Sequence, residues 1–343
     1  MKLRLVTLNG LLLLTLSVIT APVWALSFNQ IFIFGDSFSD TGNNAVLFDK
    51  FLGGARTDVP VPSQDFIPTA PYRTTQLTPG ATTDRYSNGP VWAEQFAAKF
   101  GLSATASLLG GTDYAYGGAR TGPLGATLPS TPSLLDQVAQ FRSRGNVSPD
   151  ALYILAGGGN DARDAFAAAA SGNDNAAKKI ISDYVNNIRL LITTLAGAGA
   201  TNIVVWDVPD IGLAPAIASN SATELVEQMN AGLDGVLQEL QAAVPHLIEF
   251  DIFGLIQDIV NHPTQFDLSN VTTPCATLQK CIDNPDGYLF WDGVHLTTAG
   301  YSIVADAMLQ AVPEPATLIL VVLGLIGFVV VRRTADSLRK HPG

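Results

Sequence analysis

The sequence contains little of what a metal centre, a nucleotide-binding loop or a nucleic-acid surface requires. Its 343 residues include two cysteines and four histidines, with no His-Glu-x-x-His motif and no Cys/His cluster, so nothing points to a catalytic metal. The G-x-x-x-x-G-K and G-x-G-x-x-G spacings are also absent, and no cofactor is expected. Only 14% of the residues are charged and the net charge is −11, which disfavours nucleic acid as a partner.

The first 25 residues have the pattern of a secretory signal peptide. Lys2 and Arg4 precede an apolar run at 11–19, and Val23-Trp24-Ala25 provides an A-x-A-like cleavage site after Ala25. A buried core helix is the alternative, but the position and the basic start favour a signal. We therefore expect an exported protein whose mature chain begins at residue 26.

The last 32 residues, 312–343, combine three features in a specific order. Val-Pro-Glu-Pro at 312–315 is followed by an uncharged apolar stretch at 316–331 and then by Arg332 and Arg333. At ~1.5 Å per residue the apolar stretch would be slightly short of a full bilayer core, so a marginal transmembrane helix is predicted there. The order resembles the PEP-CTERM protein-sorting signal of Gram-negative bacteria.

That resemblance implies sorting and processing machinery as partners, with transient anchoring in the inner membrane. The protein would be a periplasmic or membrane-anchored intermediate, then be cleaved near Pro-Glu-Pro and become extracellular or bound at the cell surface. A permanent C-terminal anchor is the alternative.

Removal of both ends makes the remaining chain more acidic. Lys and Arg fall from 19 to 13 and Asp and Glu from 30 to 28, so the net charge becomes about −15. Anionic polymers are therefore disfavoured partners. In an exported chain the two cysteines, Cys275 and Cys281, are expected to form a local disulfide, because two thiols without an adjacent histidine make a poor metal site.

Residues 26–311 are expected to form one α/β domain. Strands are predicted at 30–35, 152–156, 202–207 and 247–250, and helices at 89–100, 176–197, 221–243 and 297–311. Alternation of apolar strands with helices is typical of a parallel sheet covered on both faces. The Pro-, Thr- and Gly-rich stretch between 53 and 88 is expected to form long loops that frame a site.

The first predicted strand ends in Gly35-Asp36-Ser37, which places a hydroxyl at the carboxyl edge of the sheet. In open α/β sheets this edge is where ligands bind. Ordinary turn chemistry is the alternative, since these residue types are common in turns.

A second segment supplies a histidine with a nearby carboxylate. Asp292 and His295 are three residues apart, so the carboxylate can hold Nδ1–H and leave Nε2 free as a base. His246 and His262 have no such Asp-x-x-His arrangement, and a solvated Asp–His pair in a loop is the alternative.

Two glycine-containing segments offer hydrogen-bond donors for an oxyanion. Gly117 and Gly118 would let a backbone N–H approach a substrate closely, and the Gly-Gly-Gly-Asn run at 157–160 follows a predicted strand. The side-chain amide of Asn160 is a neutral donor suited to a developing negative charge. Plain turns are the alternative for both segments.

Together the four segments resemble the GDSL family of the SGNH hydrolase superfamily, in the family's order along the chain. The resemblance implies a flavodoxin-like three-layer α/β/α sandwich with a central, mostly parallel sheet. It also implies that Ser37 is the nucleophile, His295 the base and Asp292 the residue that orients it. Gly118 and Asn160 would complete an oxyanion hole with the Ser37 N–H.

Phe38 stands where the family name has leucine, an exchange that keeps an apolar side chain. The absence of a G-x-S-x-G motif argues against the nucleophile elbow of α/β-hydrolases. The Asp-Val-Pro-Asp-Ile-Gly segment at 207–212 also resembles a family segment, and we assign it a structural role.

The resulting hypothesis is a secreted serine ester hydrolase, acting on lipid or acyl esters through an acyl-enzyme on Ser37. An exopolysaccharide O-deacetylase and a non-catalytic extracellular matrix protein are the alternatives. Several aromatic residues could line an acyl pocket or belong to the core, namely Phe38, Phe48, Phe51, Trp92, Tyr116 and Phe166.

Overall fold

The computed structural model describes residues 28–59, 63, 65–73, 83–123, 131–145 and 147–312. The predicted signal peptide, transmembrane helix and all of the sorting signal beyond residue 312 lie outside these residues. Within the described ranges, no helix has both the length and the apolar character needed to cross a membrane. The domain boundaries at 25/26 and 311/312 stay predictions.

Four parallel strands form the centre of the fold, in the order β1-β2-β3-β4. They are β1 Gln30–Gly35, β2 Ala151–Ala156, β3 Asn202–Trp206 and β4 His246–Phe250. A short segment at 112–116 lies along the free edge of β1, where Tyr114 N–H donates to the Ile33 carbonyl at 2.8 Å. When this segment is counted as the second of five strands along the chain, it lies at the outer edge of the sheet beside β1. The spatial order is then 2-1-3-4-5, as in flavodoxin.

Helices cover both faces of the sheet, as expected for parallel strands. The described α-helices are α1 Asn43–Phe51, α2 Trp92–Lys99, α3 Leu134–Arg144, α4 Gly159–Ala170, α5 Asp174–Gly197, α6 Asn220–Leu240, α7 Ile252–Asn261, α8 Gln279–Ile282 and α9 Thr298–Ala311.

Side-chain alternation along the strands assigns the helices to two layers. Phe32, Tyr153 and Val205 point into one large apolar cluster with α3, α4, α5 and α6. Trp206, next to Val205, points to the opposite face. There its ring lies 4.5 Å from that of Trp92 in α2, and its Nε1–H contacts Met308 in α9. The expected three-layer α/β/α sandwich is confirmed.

All four predicted strands are present within one residue at each end, and all four predicted helices are present with shifts of up to three residues. The prediction did not include α1, α3, α4, α7 or α8. Ser133 and Asp136 form a reciprocal capping box at the start of α3, at the serine-x-x-acid spacing that marks a helix start. Helices α1 and α4 begin inside polar or glycine-rich motifs, which typically predict turns. Helix α7 is a short apolar segment directly after β4, and α8 has only four residues.

Cys275 and Cys281 are joined by a disulfide whose Cα atoms are 5.3 Å apart. Both are buried against Trp291 and Tyr72. Cys275 N–H donates to the Phe290 carbonyl at 2.9 Å, so the bridged loop contacts the segment that leads to Asp292.

Gly35 ends β1 where two strands approach closely, which yields a test of the packing. A Cβ at this position would lie 2.4 Å from the Ala156 carbonyl oxygen of β2. Gly35→Ala is therefore expected to lower the free energy of unfolding by ~1–3 kcal/mol, measured by denaturant titration. Gly145→Ala is the control, because its Cβ would meet nothing within 4 Å. Equal effects of the two substitutions would contradict the close approach.

Candidate active site

Ser37 lies just beyond the end of β1 in a tight turn. The N–H groups of Ser39 and Asp40 both donate to the Asp36 carbonyl at 3.1 Å, so the chain reverses around the serine. Gly35 is itself held by Gln137, whose buried amide accepts its N–H and donates to its carbonyl, both at 2.8 Å. Ser37 is therefore fixed at the carboxyl edge of the sheet.

Three of the predicted site residues form one continuous chain of hydrogen bonds. His295 Nε2 lies 2.7 Å from Ser37 Oγ. On the other side of the ring, His295 Nδ1 lies 2.8 Å from Asp292 Oδ2 and 3.0 Å from Oδ1. Because Nδ1 faces a carboxylate, it carries the proton, and the unprotonated Nε2 faces the serine hydroxyl.

The Asp292 carboxylate has no solvent exposure, and its negative charge is compensated by further donors. Oδ1 accepts the N–H groups of Val294 and His295 at 2.8 and 2.7 Å. The Tyr72 hydroxyl donates to Oδ2 at 3.1 Å. Burial, together with the Asp292 charge, raises the pKa of Tyr72 well above its ordinary value, so this hydroxyl remains a donor.

Aromatic rings hold the imidazole in place. The Tyr86 ring lies 5.1 Å from the His295 ring, and the Phe38 ring lies 5.9 Å from it. These contacts leave His295 only 2% exposed. The histidine thus has few ways to rotate away from the serine.

Gly118 has the properties of a free backbone donor near the site. Its φ of +83° lies in the left-handed region that favours glycine. Within the described residues its N–H makes no hydrogen bond, whereas the Gly117 N–H donates to Asp40 at 2.9 Å. This difference favours Gly118 over Gly117 as the candidate oxyanion donor.

Asn44 orients the peptide that carries the Gly118 N–H. Its side-chain amide donates to the Gly117 carbonyl at 2.8 Å and to the Tyr86 hydroxyl at 2.7 Å. The C=O and N–H of a trans peptide point in opposite directions, so the Gly118 N–H is directed away from Asn44. The sequence analysis did not identify Asn44, although it follows directly on the Gly-Asn of the first motif.

Asn160 lies in the first turn of α4, at the carboxyl edge of β2. It is 8% exposed, and its Nδ2 donates to the Ala119 carbonyl at 2.9 Å. An amide nitrogen carries two hydrogens, so one remains for a ligand. The same hydrogen bond ties α4 to the segment that contains Gly118.

The remaining polar residues of the first motif hold the 113–117 segment in place. Asp40 accepts the N–H of Gly42 at 2.9 Å as well as that of Gly117. Asn43 Nδ2 donates to the carbonyls of Asp113 and Ala115 at 2.8 and 2.9 Å. This segment is irregular, and side chains from the first motif satisfy its backbone groups.

A pocket with a cavity volume of about 40 Å³ opens beside Ser37 and His295. Its apolar wall includes Phe38, Pro209 and Ile211, and its polar wall includes Asn160 and Arg163. Of the six aromatic residues proposed for an acyl pocket, Phe38 alone lines it. The others lie elsewhere: Trp92 and Tyr116 are buried in the interior, Phe166 packs on the main core, Phe48 is partly buried and Phe51 is 64% exposed.

Asp207 has the structural role expected of its segment. Its Oδ1 accepts the N–H groups of Ile252 and Phe253 at 2.8 and 3.0 Å, which caps the start of α7. Burial raises its pKa to about 8, with the nearby Asp251 and Glu249 charges acting in the same direction.

In the part of the chain that the structure describes, no group of three or more His, Cys, Asp or Glu is placed to hold a metal ion.

Comparison with known families gives the geometry a context. The model of the GDSL-like lipase/acylhydrolase family matches residues 31–308, which include every site residue described above. The chain belongs to this family. Its GDSL membership supports a carboxylic ester hydrolase.

Individual GDSL relatives are similar at low identity. A GDSL esterase/lipase of Arabidopsis thaliana is 24% identical, over 81% of this chain and 84% of its own length. A phosphatidylcholine-sterol acyltransferase of Aeromonas hydrophila is 29% identical, over 80% of this chain and 72% of its own. An Arabidopsis relative named an inactive GDSL esterase/lipase-like protein is 26% identical, over 84% and 73%.

The C-terminal end of this GDSL protein also matches a known motif. A PEP-CTERM protein-sorting motif covers residues 311–333, which confirms the resemblance noted in the sequence. The motif implies sorting machinery and export through the cell envelope toward the outer surface.

The buried carboxyl of Asp207 predicts a pH-dependent contribution to stability. Between its ordinary pKa of 3.8 and its folded value of about 8, the folded protein keeps a proton that the unfolded chain has lost. This group therefore lowers the free energy of unfolding as pH rises through that window, by ~1.4 kcal/mol per pH unit at most. Asp207→Asn removes the effect while its Oδ1 can still accept both N–H groups.

The measurement is denaturant unfolding of both proteins between pH 5 and 9. The stability of the variant relative to wild type is expected to rise with pH and to level off above pH 8. All other buried carboxyls are common to the two proteins and cancel. A difference that does not change with pH would show that Asp207 is already ionised in the folded state.

Proposed function

We propose that this GDSL protein is an exported serine ester hydrolase in which Ser37 attacks an ester carbonyl. The continuous hydrogen-bond chain from Ser37 through His295 to Asp292, at the wall of an open pocket, is the observation that carries the proposal. In this arrangement Asp292 orients the imidazole and stabilises the imidazolium that forms. Proposed export rests on the signal peptide at 1–25 together with the sorting motif.

In the first half of the reaction, His295 Nε2 takes the proton of Ser37 Oγ as the oxygen attacks the carbonyl carbon. The alcohol then leaves with that proton, and the acyl group stays on Ser37. In the second half, His295 takes a proton from water as the water oxygen attacks the acyl carbonyl carbon. The bond to Ser37 Oγ then breaks, His295 returns the proton to that oxygen, and the acid is released. Two smaller barriers replace one large barrier.

Negative charge develops on the carbonyl oxygen in both halves. Three donors are proposed to stabilise it: the N–H groups of Ser37 and Gly118 and the side-chain amide of Asn160. The two N–H groups make no hydrogen bond within the described residues, and Asn160 has one amide hydrogen left. Donors held in advance by the fold need no reorganisation during the reaction.

Lipid or other acyl esters are the proposed substrates, and the apolar wall formed by Phe38, Pro209 and Ile211 is suited to an acyl chain. The name of the Aeromonas relative, an acyltransferase acting on phosphatidylcholine, points in the same direction. The relative named inactive shows that family membership alone does not establish turnover.

Ser37→Ala is expected to reduce kcat on p-nitrophenyl butyrate by about 10⁶-fold, because the nucleophile is lost and the acyl-enzyme cannot form. Labelling by a fluorophosphonate should disappear in the same variant. Ser143→Ala, which removes an exposed hydroxyl on α3, is the control and should retain both turnover and labelling. A folded wild-type chain that neither turns over nor labels would favour the non-catalytic matrix protein.

Asn44→Ala tests the orientation of the Gly118 N–H without touching the pocket wall. Loss of the bond to the Gly117 carbonyl frees the peptide plane, so we expect kcat to fall by ~10-fold or more while KM changes little. The measurement is steady-state kinetics on p-nitrophenyl butyrate, with the thermal midpoint recorded in parallel. Unchanged kcat in a destabilised variant would assign Asn44 a purely structural role.

A further inference from the structure

The active-site pocket contains one feature that ester hydrolysis by Ser37 does not use. Arg163 lines the pocket together with Ser37 and His295. It lies one helical turn after Asn160 on α4, so the two side chains share a face. Among the residues that line this pocket, Arg163 is the only arginine or lysine.

The Arg163 side chain is partly buried at the pocket. In the described part of the chain it forms no ion pair, and its hydrogen bond to Asn160 Oδ1 is long, at 3.4 Å. Burial and the Arg120 charge lower its pKa, an effect opposed by the charges of Asp164, Asp36 and Asp292. Desolvated charges in proteins are generally paired, so an unpaired arginine in a pocket is suited to an anionic ligand.

The acidic neighbours of Arg163 are engaged elsewhere. Asp164 makes a bidentate ion pair with Arg120 at 2.9 Å. Asp36 and Asp207 also line the pocket, but both accept backbone N–H groups: Asp36 from Phe38 at 3.0 Å, and Asp207 from Ile252 at the start of α7. Burial also raises the pKa of Asp36 to about 6 and that of Asp207 to about 8, which weakens their negative charge near neutral pH. Among the described carboxylates of the pocket, Arg163 therefore has no ion-pair partner.

We propose that Arg163 binds an anionic group carried by the substrate next to the scissile ester. This inference rests on the proposed function and specifies its substrate: an acyl ester that carries a phosphodiester or a carboxylate close to the ester carbonyl. A guanidinium can donate two parallel hydrogen bonds to either group. The apolar wall of the pocket, with Phe38 and Ile211, remains available for the acyl chain.

Release of hexanoate from three monomeric substrates with the same acyl chains tests the proposal: dihexanoylglycerol, its phosphomethanol diester and its hemisuccinate. They differ only in the group on the third glycerol oxygen. It is a free hydroxyl in the first substrate, part of a phosphodiester in the second, and esterified to succinate, which has a free carboxylate, in the third. The full-length chain is compared with Arg163→Gln and Arg163→Lys. Arg142→Gln removes an exposed positive charge on α3 and controls for general electrostatics.

Arg163→Gln is expected to lower kcat/KM on the anionic substrates by ~10–100-fold more than on dihexanoylglycerol. This is the fold-change that corresponds to losing one hydrogen bond to a charged group. Arg163→Lys should fall between wild type and Arg163→Gln, because it keeps the charge without the planar fork. Arg142→Gln should leave the ratio between substrates unchanged. A loss on only one anionic substrate identifies which group Arg163 recognises.

An equal loss on all three substrates would overturn the proposal, because Arg163 would then act by holding Asn160. If Arg163→Gln does not fold, Arg163→Lys carries the same comparison. Failure of the proposed function is distinct: wild type would then hydrolyse none of the substrates and would not label with a fluorophosphonate.

Discussion

The hydrogen bond between Ser37 and His295 joins residues that are 258 positions apart, one after the first strand and one before the last helix. A contact of 2.7 Å requires both loops to be held to a small fraction of an ångström. On the serine side, the end of β1 and the Asp36 carbonyl provide this precision. On the histidine side, Asp292 binds both the ring and the backbone N–H of His295. The sheet, the helices packed on it and the disulfide-bridged loop all help to hold the two residues in contact.

Several buried polar side chains near the site bind the backbone of a neighbouring segment. Asp40, Asn43 and Asn44 are almost fully buried, yet their hydrogen bonds go to the irregular 113–117 segment rather than to a substrate. Burial raises the pKa of Asp40 to about 6, and the N–H groups directed at its carboxylate oppose this effect. Much of the first motif therefore specifies the position of Gly118 and takes no direct part in the chemistry proposed for Ser37.

The periodicity of apolar residues predicted secondary structure best in elements that have a buried face. The predicted strands follow apolar runs, and the predicted helices α5 and α6 are long and amphipathic enough to be recognised. Helices α1 and α4 begin in Gly-Asn-Asn and Gly-Asn-Asp, where local propensity favours turns, and their start is determined by contacts with distant segments. Asn44 shows the reason: its amide reaches a carbonyl 73 residues away, which no local pattern can indicate.

The fold class, the alternation of strands and helices, and the candidate residues Ser37, Asp292 and His295 could be inferred from the sequence, because motifs and burial patterns are local properties. The three-dimensional structure was needed to show that these three side chains meet. It was also needed to show that, among the described residues, the Gly118 N–H makes no hydrogen bond and Arg163 lines the pocket without an ion pair. Those features depend on distances between segments brought together by parallel strands. Such distances are set by packing across the whole domain, which the linear order of residues does not specify position by position.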